Sequence, residues 1–135
     1  MSQLTFFYLA IIALYVAVFG EAAIMKFVSR ETPTWYVDQF KETWFSRMPL
    51  RAMWWLVAAL ELVAAGIFVA SLATGEPFGG GEVALLGWGL LLSALIFTML
   101  CFGLRVAADF AGAANLFFYA VLTMLLWFAV HAVST

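Results

Sequence analysis

The stretch LVAALELVAAGIF, residues 56–68, carries one ionisable group, Glu61, in a run that is otherwise apolar or small. A carboxylate in such a setting can pair with a cation and pin two helices, exchange protons, or anchor the polar head of a lipid-like ligand such as a quinone. Further polar groups that could join it are Glu21, Arg105, Asp109, Asn115 and Tyr119. Arg105 or Lys26 could neutralise a carboxylate, and Asp109 has the side chain to cap a helix that follows it. If the fourth apolar segment starts early, Arg105, Asp109, Gly112, Asn115, Tyr119 and Thr123 fall near one stripe at three-to-four spacing. That stripe, with Glu21 and Glu61, is expected to line a pocket in one half of a helical bundle, where these residues are candidates for ligand binding or proton relay.

Other chemistries lack their residues. His131 is the only histidine, so a bis-histidine haem within this chain is excluded, His plus Met ligation is open only in principle, and no metal site is expected. One distal histidine also leaves no Ser-His-Asp or Cys-His set. The single cysteine, Cys101, can form neither an internal disulfide nor a dithiol pair and reads as a small packing residue. Gly79, Gly80 and Gly81 are not followed by the lysine and the helix context that a phosphate-cradling loop needs. Six basic residues against eight acidic ones, a net charge of −2, leave no basic surface for nucleic acid.

The elements that must position the polar set are set by hydropathy. Of 135 residues, 67% are hydrophobic and 10% charged, and the mean hydropathy is +1.07, outside the usage of soluble domains. A spanning helix needs about 20 mostly apolar residues. Four segments meet this, at 4–28, 52–74, 83–104 and 112–133. The expected fold is an all-α integral membrane protein, a single domain built as a four-transmembrane-helix bundle. The first segment reads as a retained helix, because MSQ carries no Lys or Arg and the apolar run outlasts a signal sequence.

Orientation follows from the basic residues, which are held on the cytoplasmic side. Lys26, Arg30, Lys41, Arg47 and Arg51 lie between spans one and two, and Arg105 between spans three and four. Both termini are therefore expected on the outer side of a bacterial-type inner membrane. Glu61 then sits about ten residues, or ~15 Å, from the cytoplasmic end of span two, near the bilayer midplane. An ionised group there costs roughly 2.5–3.5 kcal/mol, and each Leu, Ile, Phe or Val returns about 0.3–0.6 kcal/mol. Span two has about nine such residues, so it can insert with little reserve, and Glu61 should face protein. Ala58, Ala64 and Ala65, three and four positions away, would let another helix approach it.

Two connections have contrasting character. Between spans one and two, ETPTWYVDQFKETWFSRMPLR interleaves Trp35, Tyr36, Phe40, Trp44 and Phe45 with charged residues. Pro33 followed by apolar positions 36, 40 and 44 predicts an amphipathic interfacial segment over about 33–48, whose aromatics lie in the headgroup layer or contact a protein partner. The loop at 75–82, with Pro77 and three glycines, is expected to be a turn without regular structure.

In the order of these features the chain resembles the DoxX-like family of small four-helix membrane proteins. FGEAAIMKF at 19–27, the amphipathic connection, LVAALELVAAGIF and the tight turn between the last two helices carry the resemblance. Gly20 and Lys26 take the family's first-helix positions, and Glu61 and Gly66 its second-helix positions. SLATGEP departs from it by lacking the basic residue that often follows the second helix. The resemblance implies association with membrane redox systems, including quinone reduction. Without a dithiol, haem pair or nucleotide motif, the expected role is an accessory or structural subunit of a larger membrane redox complex. It would contact the bilayer and other membrane subunits. The rival readings are a quinone-reactive oxidoreductase subunit and a proton or small-solute conduit.

Overall fold

The computed structural model describes residues 3–29, 50–79, 83–106 and 109–134. Four helices follow one another: α1 (Gln3–Ser29), α2 (Leu50–Ala73), α3 (Ala84–Val106) and α4 (Phe110–Ser134). All four are long and apolar enough to cross a membrane, and their ends fall within two residues of the expected spans. The chain is a multi-pass membrane protein of the expected all-α, four-helix class. The interfacial segment expected at 33–48, with Trp35, Tyr36, Phe40, Trp44 and Phe45, lies outside the described residues.

Each helix packs mainly on the next in the chain. The core mixes aromatic and aliphatic side chains on α1 and on its neighbours. Tyr15 and Phe19 of α1 are buried, as are Phe68 of α2 and Leu90 and Ile96 of α3. Ring contacts tie three helices together: Tyr15 stacks on Phe68 at 5.2 Å, and Phe19 meets Phe97 at 5.3 Å. The Phe68 ring lies against the backbone of Gly89, where a Cβ would come within 3.0 Å of it. Glycine is required there by close approach. Between α1 and α4, the Tyr15 hydroxyl donates to Thr123 Oγ1 at 2.7 Å, and Thr123 in turn donates to the carbonyl of Tyr119 at 2.7 Å. Outward faces carry Phe, Leu and Val, as a lipid-facing surface does.

Over residues 75–79 the connection between α2 and α3 corrects the expectation of an irregular turn, residues 80–82 lying outside the described residues. Gly75 takes the left-handed conformation, φ 78°, and Glu76–Phe78 form a short 3-10 turn. Its organiser is Glu76. The carboxylate accepts the Ser71 hydroxyl at 2.6 Å and the backbone N–H groups of Leu85 at 2.9 Å and Leu86 at 3.3 Å. It therefore satisfies donors that the first turn of α3 leaves unpaired and places a negative charge at the positive end of that helix. Thr5 fastens α1 to the same turn by donating to the Pro77 carbonyl at 3.0 Å. Glu76→Ala removes all three acceptor contacts and leaves the fully buried Ser71 hydroxyl without its acceptor. We expect a loss of about 1–2 kcal/mol, as for other lost helix caps, measured by SDS-induced unfolding in mixed micelles.

The other tight junction behaves as the sequence suggests. Asp109 precedes α4, accepts the Gly112 N–H at 3.0 Å through its side chain, and caps the helix. A Cβ on Gly112 would lie 2.7 Å from that carboxylate, so the cap and the glycine belong together. Cys101 lies in the same interface and donates to the Ala113 carbonyl at 3.2 Å, the packing role expected of it.

Candidate functional site, a buried ion pair between the first two helices

Glu61 is the twelfth of the 24 residues of α2, at mid-helix, and is 3% exposed. The small residues around it act as expected: Ala58, Ala64 and Ala65 are buried and let α1 approach. From α1, Lys26 reaches in and donates to Glu61 Oε1, forming the salt bridge that joins the two helices. The lysine ammonium also lies 5.1 Å from the centroid of the Trp54 ring, so one face of the cation meets a carboxylate and another the negative face of an indole. Trp54 and Glu61 stand two helical turns apart on one face of α2, and Lys26 bridges between them. Next to this, Phe27 packs on Trp55 at 5.4 Å.

This arrangement answers the insertion problem posed by α2. A lone carboxylate at mid-helix would cost about 2.5–3.5 kcal/mol. Neutralised and closed over by Lys26, it becomes a contact specific to one pairing of α1 with α2. Of the two cations the sequence offered, Lys26 takes the role and Arg105 does not. Arg105 sits in the last turn of α3, exposed, with its guanidinium 4.8 Å from the Phe110 ring centroid.

The remaining residues of the expected polar pocket do not gather around Glu61. Glu21 is exposed, on the face of α1 opposite buried Phe19 and Ala23. Asp109 is exposed and engaged with the start of α4. The expected stripe is split, because Arg105 belongs to α3 and α4 begins only at Phe110. Along α4 it turns outward, from buried Thr123, through half-exposed Tyr119 against Phe97 at 5.8 Å, to exposed Asn115. Among the described residues, no three His, Cys, Asp or Glu side chains stand close enough to hold a metal ion.

Two cavities lie away from the ion pair, both between α3 and α4. One, of about 260 Å³, is bounded by Val83, Gly87, Trp88, Trp127, Val130 and His131. His131, in the last turn of α4, stacks on Trp127 at 5.4 Å and 9°. The other, of about 660 Å³, is an apolar groove bounded by residues such as Leu91, Thr98, Met124 and Phe128. Neither is bounded by a carboxylate. Sequence reasoning did not find the Trp127–His131 stack, although their i, i+4 spacing is visible, nor the Tyr15–Thr123 bond, which joins residues 108 positions apart.

No family model, curated protein or solved structure matches the chain.

Proposed function

We propose that this chain is a DoxX-like inner-membrane protein that serves as a noncatalytic, accessory or structural subunit of a larger membrane redox assembly. The observation that supports it best is the closure of the Lys26–Glu61 pair. The deepest carboxylate is spent on joining α1 to α2, which suits a scaffold rather than a group that must meet substrate or pass protons. The redox context rests on the resemblance of FGEAAIMKF and LVAALELVAAGIF to the family. Lys and Arg concentrated in the two connections that share one side favour both termini on the outer side.

The test is solubilisation of the native protein in mild detergent, followed by size measurement, mass spectrometry of copurifying chains and lipid extraction for quinones. Stoichiometric membrane subunits are expected. A lone chain carrying one quinone per copy would overturn the reading.

A further inference from the structure

We infer that the outward face of α1 centred on Glu21 seats a transmembrane helix of a partner subunit, and that this helix presents a lysine or arginine to Glu21. The inference rests on the accessory-subunit reading and names the chemistry of the partner. Glu21 stands in an exposed apolar stripe, with Leu14 and Val18 on one side along the helix and Met25 and Val28 on the other. Its depth follows from the helix. Glu21 lies eight residues before the end of α1 at Ser29, about 12 Å inside the span on the side where the basic residues gather. The carboxylate is thus within the span on a face the described residues leave uncovered, whereas ionisable groups inside a span face protein or water.

The same face is shaped for close approach. Ala10, Ala13 and Ala17 precede Glu21 at three-to-four spacing, and all three are exposed. Space is open where a Cβ on Gly20 would point, so nothing among the described residues requires glycine there. Small residues along a spanning helix let a second backbone come near, and the carboxylate at the end of this seam states what that backbone must carry. An ionised carboxylate only accepts hydrogen bonds, and its strong partners are lysine and arginine. A second copy of this chain fits less well, because a two-fold axis along the seam brings two Glu21 carboxylates together. The α1 cation that could have answered them, Lys26, is turned to Glu61.

A photoreactive amino acid in place of Ala17, in the full chain and in native membranes, tests this. A protein adduct is expected, mapping to a spanning helix that contains a lysine or arginine. Its yield should fall at least about tenfold in Glu21→Leu, the loss of roughly one good interhelical ion pair. It should return when Glu21→Lys is combined with a glutamate at the partner's basic position. Glu21→Leu should leave SDS unfolding unchanged or later, which separates lost docking from lost folding. Lipid adducts alone, adducts between copies of this chain, or a partner helix without a basic residue would overturn the inference. Protein adducts from a probe at Phe128 on α4 with none from Ala17 would overturn it too, while leaving the accessory-subunit reading in place. Absence of protein adducts from both positions would count against both.

Discussion

Lys26→Met should lower the unfolding free energy of the bundle by about 3–5 kcal/mol, the cost of removing one partner from a buried pair. The substitution keeps the length and apolar stem of the side chain, so packing along α2 changes little. What is lost is the ammonium between Glu61 and Trp54, and the carboxylate, 3% exposed, keeps no cation. Glu61→Gln should cost a similar amount by stranding the lysine. The double variant Lys26→Met with Glu61→Leu should recover most of the loss, because apolar replacements of a buried pair are often neutral or stabilising. A double-mutant cycle in SDS unfolding reads the coupling directly. If the two single losses simply added in the double variant, the pair would not be what holds α1 to α2.

The four spans were legible because length and hydropathy are properties of a contiguous segment. Glu61 was legible as an inward-facing group for a related reason: the cost of its charge and the alanines three and four positions away both lie within one helix. What local reading could not supply was angle. Glu21 was grouped with Glu61 only because both fall in the same half of the bundle. Yet Glu21 and Lys26 are five residues apart, and at about 100° per residue their side chains diverge by roughly 140°. Once Lys26 points inward, Glu21 points away. The choice between Lys26 and Arg105 likewise depended on where α3 ends relative to α2, which no local pattern encodes. Glu76 was missed because its acceptors serve residues nine and ten positions later, across a loop whose glycines suggested only disorder of pattern.

The ion pair and the aromatic core divide the work between the two halves of the molecule. Toward the C-terminal end of α1, Lys26 and Glu61 select one partner face of α2 by charge. Further along, selection is by shape: Tyr15 stacks on Phe68, and Phe68 fills the space left by Gly89. Apolar residues alone would choose poorly here, because lipid tails are as apolar as the helices and packing must supply the preference.

Gly89→Ala should therefore cost about 1–3 kcal/mol by overpacking, more than Gly87→Ala, whose Cβ would meet nothing closer than 3.7 Å. The new Cβ would lie 3.0 Å from two atoms of the Phe68 ring and 3.2 Å from a third, closer than carbon atoms pack without repulsion. The ring has little room to retreat, being fully buried and stacked on Tyr15, whose hydroxyl is held by Thr123. Relief must come from separating α3 from α2, which loosens contacts along both helices. Gly66→Ala is the control, since nothing lies within 4 Å of a Cβ there, and it should be neutral or slightly stabilising through helix propensity. Combining Gly89→Ala with Phe68→Leu should cost less than the sum of the two, because the smaller side chain frees the space the methyl needs. Strict additivity would mean that the methyl is accommodated elsewhere, and that Gly89 is not where α2 and α3 are held in register.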